Sequence, residues 1–208
     1  MNDNTVIAKQ LVNEYLSKIN DNNALQLIYL YSNFTCNEGC KYCWIDETNT
    51  NHNFVLSQKT VDSFIYEAIS LGVSQIKISG GEPFLNKEVP DIIGFLLDCG
   101  LSVEVETNGT LLSESMMDKI ASKPDKIHFK ISLDSSFPDI QNEITRYSSA
   151  FEDTINGINV LKKYGIQFDI ITVVNKMNFN HIEELIQFVE SLEAKHHRII
   201  LNLQPIGH

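Results

Sequence analysis

Three cysteines within eight residues, Cys36-Asn37-Glu38-Gly39-Cys40-Lys41-Tyr42-Cys43, constrain this chain more than any other stretch. The fourth cysteine, Cys99, is far away in sequence. Thiolates are soft ligands that suit zinc, copper(I) and iron-sulfur clusters, and so tight a loop aims three sulfurs at one centre. Structural zinc sites and most iron-sulfur clusters take four protein ligands, so three leave a position open, as a catalytic metal requires. A disulfide framework would need paired cysteines and an oxidising compartment; the odd number here, and polar residues 1–5 that form no signal peptide, argue against it. Zinc completed by a histidine such as His52 is the other alternative, with no second Cys or His pair at finger spacing. On the loop's residues alone, zinc and iron-sulfur are level.

At 208 residues, 43% hydrophobic and 21% charged, the chain reads as one soluble globular unit with a sizeable core. The 27 acidic residues outnumber the 16 Lys and Arg, a formal charge of -11. That balance excludes nucleic acid as a partner, because sequence-independent affinity for it comes from clustered cations; a small anion in a local pocket remains compatible. No apolar stretch approaches the ~20 residues of a membrane span. The expected compartment is the cytoplasm, where thiols stay reduced.

Periodicity predicts an amphipathic helix over 6–19, then an apolar, buried first strand over 25–32 that runs straight into the cysteine loop. Ser57 is placed as the N-cap of a helix closed by Gly72. Strand and helix then alternate: strands over 73–79, 101–107, 126–133, 166–174 and 198–204, and helices over 89–98, 113–122, 151–164 and 181–193. Asn180 and Glu183 make a capping signature for the last helix. Such alternation implies a parallel sheet with right-handed crossovers. Six strands are too few for a closed eight-stranded barrel, so the expectation is an open, partial one.

Within the strands, side chains alternate between faces. Ile76, Ile78, Val103, Val105, Phe129 and Ile131 belong under the helices, which leaves Lys77, Glu104, Glu106, His128, Lys130, Ser132 and Asp134 for the barrel interior. Buried charges must be paired, so Lys77, Glu104, Glu106 and Lys130 are expected to form an interior ion-pair network. Mutual neutralisation is its plainer role, with a direct catalytic part as the alternative. Cys99 and the methionines read as core, and His196 and His197 as surface.

The C-x3-C-x2-C spacing with Tyr42 before the third cysteine is followed, in order, by Gly80-Gly81-Glu82-Pro83, Thr107-Asn108-Gly109, Ile131-Ser132-Leu133-Asp134 and Arg146. This series resembles the radical S-adenosylmethionine (radical SAM) superfamily over residues 25–207, in particular the core of its peptide-modifying, sulfatase-maturing and molybdenum-cofactor cyclisation members. The resemblance implies an α/β fold, a partial (β/α)6 parallel barrel over 25–208 behind an N-terminal helical segment, 1–24. A sixth helix normally follows the sixth strand, often with an extension carrying auxiliary clusters; here that helix is expected to be missing. The chain is then a fragment, or a minimal member whose open edge is covered by the N-terminal helix or by a second copy in a homo-oligomer.

By the same resemblance, Cys36, Cys40 and Cys43 hold three irons of a 4Fe-4S cluster and S-adenosylmethionine takes the fourth. Gly80 and Gly81 let backbone reach its methionyl part, Glu82 accepts from the ammonium, Pro83 stiffens the turn, and Asn108 belongs to the same set of contacts. Ser132 touches the carboxylate or ribose, Arg146 pairs with the carboxylate, Asn175 and Leu203 reach the ribose and adenine, Tyr42 lies near the adenine, and Trp44 is a cap or core. The implied activity is reductive cleavage of S-adenosylmethionine to a 5'-deoxyadenosyl radical that abstracts hydrogen from a peptide substrate. Alternatives are a small-metabolite substrate, installation of a glycyl radical on a partner protein, and a non-enzymatic zinc scaffold. The expected electron donor is a flavodoxin or ferredoxin, docking on a basic or neutral patch near Lys41.

Overall fold

A computed structural model describes residues 25–43, 45 and 53–201. The helix expected over 6–19, Trp44, His52 and Leu203 lie outside the described residues. Six parallel strands form one sheet in chain order: β1 (Leu27–Tyr31), β2 (Gln75–Ser79), β3 (Ser102–Thr107), β4 (Ile127–Ser132), β5 (Gln167–Val174) and β6 (His197–Leu201). Helices α1 (Gln58–Ser70), α2 (Val89–Asp98) and α3 (Glu114–Ile120) fill the first three crossovers, α4 (Pro138–Thr145) and α5 (Ala150–Lys163) the fourth, and α6 (Ile182–Ser191) the fifth. Among the described residues β1 and β6 each pair on one side only, so the barrel is open.

Local chemistry sets these boundaries. The Ser57 side chain accepts from Thr60 N at the start of α1. Gly72 and Gly100 close α1 and α2 at φ +105° and +91°, where a Cβ would be strained. The outward strand residues Ile76, Ile78, Val105, Phe129 and Ile131 are fully buried beneath helix residues such as Ile65, Ile92, Leu96 and Leu161. Cys99 is buried in the same core.

Four details depart from the sequence reading. β1 is not buried: Leu27, Tyr29 and Tyr31 face the open lumen and are exposed, because an edge strand has a neighbour on one side only. Helix α4 was hidden in a segment rich in Asp, Asn, Gln and Thr, although Pro138 at its first turn and the Ile140, Ile144 spacing mark it in retrospect. The start of α6 has no side-chain cap; Asn180 lies in a 3-10 turn, Phe179–His181, and His181 takes the cap position. His197 is not at the surface: it is half-buried and pairs with the Thr172 hydroxyl at 2.8 Å. His196 is exposed as expected, and with His128 and Arg198 it converges at 3.0–3.1 Å on Asp169, which is 1% exposed, tying β4, β5 and β6 at the barrel base.

The interior charges pair as the alternation requires. Lys77 Nζ lies 3.3 Å from Glu104 and 2.5 Å from Glu106, and Lys130 Nζ lies 2.6 Å from Glu104. Tyr29 adds its hydroxyl to Glu106 and its ring to Lys77, 4.9 Å away. Only Lys77–Glu104 lies directly opposite in the register; the shorter Lys77–Glu106 and Lys130–Glu104 pairs run diagonally, two residues along adjacent strands.

Candidate active site

The cysteine loop leaves the carboxyl end of β1, the end at which parallel barrels assemble their active sites. Two walls hold it. On one side the chain after β1 keeps pairing with the turn after β2: Gly81 N donates to Asn33 O at 3.1 Å and Glu82 N to Thr35 O at 2.8 Å. On the other, Gly39 N and Lys41 N donate to Thr145 O and Ile144 O at 2.8 and 3.0 Å. Those carbonyls end α4 and would otherwise lack partners, so the helix that sequence reading missed is the one that anchors the loop.

The later strand ends close around the same loop. Asn108 donates to Asn37 at 3.0 Å and stands 3.9 Å from Cys36 Sγ, while Asn37 donates to Thr110 at 2.9 Å. Helix α5 supports that turn from behind: Thr154 donates to Asn108 O at 2.9 Å, and a Cβ on Gly157 would lie 2.1 Å from Gly109 O. The Tyr42 hydroxyl donates to Asp134, whose other carboxylate oxygen accepts from Val173 N at 2.7 Å. Arg146, left-handed at φ +55°, ends α4 and lies over Gly39 with its side chain exposed. Ser132 is half-buried on the inner face of β4.

Four of the motif residues have partners within the protein itself. Glu82 is 0% exposed, and its carboxylate accepts from Phe84 N, Asn108 N and the Thr107 hydroxyl at 2.7–3.0 Å. It therefore ties the β2 turn to the end of β3. Gly80 and Gly81 make room for protein backbone: Cβ atoms there would lie 2.7 Å from Asn33 O and 2.0 Å from Thr35 O. Asn175 shapes its own turn, accepting from Met177 N at 2.9 Å and donating to Val173 O at 3.2 Å. Pro83 begins a buried 3-10 turn, as its fixed φ allows. Sequence reading missed Glu38, which is 8% exposed and accepts from the Cys40 thiol at 3.4 Å.

The site is short of positive charge. Burial pushes the Cys36 thiol up to about 12 and, with Glu38 alongside, pushes Cys40 up as well. Metal must displace those protons, which couples loading to deprotonation. Burial likewise raises Glu38 and Glu82 to about 7 and Asp134 to about 6, and raises Tyr42 strongly, with Asp134 adding to it. Among the described residues no three Cys, His, Asp or Glu side chains are gathered closely enough to hold a single ion. A 4Fe-4S cluster makes no such demand, since each thiolate takes a different iron. With Glu38 N donating to Cys36 Sγ at 3.4 Å and Asn108 beside the same sulfur, the loop offers the N–H donors that cluster thiolates use. The residues fit the group.

A raised carboxylate means that the folded state binds its proton more tightly than the unfolded chain does. Stability from Glu82 and Asp134 is then fully present below their ordinary values of 4.5 and 3.8, and is lost as pH rises through about 7 and about 6. Cluster-free protein is expected to lose stability between about pH 5 and pH 7, by up to ~1.4 kcal/mol per pH unit for each group. Urea midpoints that stayed flat or rose across this range would contradict it.

The sequence model of the radical SAM superfamily matches residues 31–189. The AdoMet-dependent heme synthase of Methanosarcina barkeri is 30% identical, over 89% of this chain and 52% of that protein. A probable GTP 3',8-cyclase of Sulfolobus acidocaldarius is 30% identical, over 83% of this chain and 54% of that protein. Streptococcus suis SuiB bound to S-adenosylmethionine superposes with a TM-score of 0.74 at 18% identity, covering 91% of this chain and 44% of SuiB. The chain thus spans about half the length of the curated relatives it matches.

Proposed function

Since the chain belongs to the radical SAM superfamily, we propose that it is the catalytic core of an enzyme that abstracts a hydrogen atom from a peptide. Radical SAM proteins use a 4Fe-4S cluster with S-adenosylmethionine, and the bound pair supplies a 5'-deoxyadenosyl radical. The observation that carries the reading is the meeting of the motifs at the ends of β2, β3 and β4 at one cysteine loop. Cys36, Cys40 and Cys43 would hold the cluster. Arg146, over Gly39, would pair with a carboxylate bound at the loop, for which a guanidinium fork is suited. Ser132 and Asn108 would offer hydrogen bonds from the inner face and the β3 turn. Tyr42, held by Asp134, closes the loop's last turn and keeps water from it.

A peptide is favoured by the open side of the barrel. There Tyr29 and Tyr31 on β1 and Ile200 on β6 expose apolar surface to the lumen, and an edge strand can pair with an extended chain. The small-metabolite reading is favoured by the named activities of two sequence relatives, a heme synthase and a probable GTP 3',8-cyclase. The ion pairs of Lys77, Glu104, Glu106 and Lys130 would form the floor beneath either substrate. A second copy of the chain is one possible cover for the open edge. An acidic flavodoxin or ferredoxin would deliver the electron near Lys41, which pairs with Glu143 at 2.8 Å beside the exposed Arg146. Label transfer tests the substrate class. Deuterium from the macromolecular and peptide fraction of a labelled extract is expected in 5'-deoxyadenosine; label arriving only from the small-molecule filtrate would replace the peptide by a metabolite.

A further inference from the structure

A second convergence of charged side chains lies at the opposite end of the barrel from the cysteine loop, where β2 to β6 begin. Lys126, His128, Asp169, Lys195, His196 and Arg198 line a cavity of about 280 Å³ there. Asp169 is 1% exposed and fully served: both imidazoles meet its Oδ1 at 3.0 Å, and Arg198 Nε donates to Oδ2 at 3.1 Å. The cations keep donors to spare. Arg198 is held through Nε, and among the described residues its two terminal amino groups have no acceptor. Lys126 Nζ donates to Gly100 O and Lys195 Nζ to Gln167 Oε1, each at 2.8 Å, so both acceptors are uncharged. Neither lysine forms an ion pair among the described residues. The other two carboxylates on the cavity wall leave this surplus standing. Glu104 is already matched by Lys130 at 2.6 Å and Lys77 at 3.3 Å, and Asp125 is exposed at the rim. In a chain of formal charge -11, cations gathered in a cleft concentrate ligands of the opposite sign.

We propose that this cavity binds a small phosphate-bearing ligand, at a site separate from the one at the cysteine loop. A carboxylate offers two oxygens in one plane, which the Arg198 fork alone would satisfy. A phosphate offers three or four in a tetrahedral array, and an arginine fork flanked by two lysine point charges can serve them together. Asp169 is the positioning residue: by accepting from Nε it fixes the plane of the guanidinium and leaves the amino groups to the ligand. The two imidazoles fill its other oxygen, so Asp169 has no call on Lys126 or Lys195. The assignment depends neither on the cluster nor on whether the substrate is a peptide.

The test dialyses the full chain, reconstituted with its cluster, against labelled inorganic phosphate at an ionic strength held constant with chloride. Saturable binding is expected. Lys126→Gln, Lys195→Gln and Arg198→Lys should each weaken it by about ten- to a hundredfold, the range for one hydrogen bond to a charged group. All three variants leave Asp169 with a cation or with its own partners, and if Arg198→Lys fails to fold, the two lysine variants carry the comparison. Lys162→Gln is the control, since that lysine lies at the same end of the molecule and already pairs with Glu193 at 2.6 Å; it should bind phosphate as the wild type does. Glycerol 3-phosphate separates two sources of the same chemistry. Displacement of the label by the ester supports a phosphate monoester as the ligand, and failure to displace it supports the free ion. Absence of saturable binding overturns the assignment, as does acetate displacing the label as readily as unlabelled phosphate does. Equal weakening by Lys162→Gln would reduce the effect to diffuse surface charge, and binding untouched by the three cavity variants would move the phosphate elsewhere; either result also overturns it.

Discussion

Gly81→Ala is expected to destabilise the protein by about 3–5 kcal/mol and to leave it unable to hold iron. The added Cβ would lie 2.0 Å from Thr35 O and 2.4 Å from Thr35 C, and both are backbone atoms with no side chain to swing aside. Relief requires the chain entering the cysteine loop to move away from the β2 turn. That breaks Gly81 N to Asn33 O and Glu82 N to Thr35 O, the bonds that hold one wall of the loop. Urea unfolding and iron content after reconstitution read the two effects. Gly94→Ala is the control. Gly94 sits inside α2 with its nearest atom, Lys119 O, at an ordinary 3.5 Å, so Ala should be neutral or stabilising by up to ~1 kcal/mol. If the two substitutions cost the same, close backbone approach is not what position 81 requires.

Cys40→Ala is expected to separate chemistry from folding. Formation of 5'-deoxyadenosine should fall by more than about a hundredfold, the upper end of what losing an outer-shell partner costs a metal site, while the cluster-free fold stays within ~1 kcal/mol of the wild type. Cys36→Ala and Cys43→Ala should behave alike. Cys99→Ala should do the reverse: the residue is fully buried in the core, so the cost falls on stability, roughly 1–2 kcal/mol, with iron content unchanged. Retained product formation in the three loop variants would remove the cluster from the reading. A brown protein that turns colourless in Cys40→Ala is the quick form of the same measurement.

The strand and helix order was legible because the crossovers repeat one physical pattern, an alternating apolar strand followed by a helix of 3.6-residue period, with a glycine stop after α1, α2 and α5. Helix α4 was not, because its buried face holds Gln141 and Thr145 beside a single fully buried isoleucine, Ile144, and a stripe that narrow gives little periodic signal. The exposure of β1 was equally out of reach. Leu27, Tyr29 and Tyr31 are apolar enough to read as core, and only the sheet order makes them an open edge. The ion pairs among Lys77, Glu104, Glu106 and Lys130 lay between these extremes. Alternation put them on one face, and parallel register then set each cation against an anion.

The sequence by itself determined which atoms can bind iron and where they lie along the chain, because thiolate chemistry and eight-residue spacing are local properties. It also determined that the later motifs fall at strand ends. The tertiary structure alone decided how each carboxylate near the loop is held. Glu82 carries the motif, but the register between Thr35 and the β2 turn draws it into a closed set of hydrogen bonds. Glu38 carries no motif, yet the walls formed by α4 and the Gly80–Gly81 turn bury it beside the Cys40 thiol. Hydrogen-bond satisfaction is a property of neighbours brought together from distant parts of the chain.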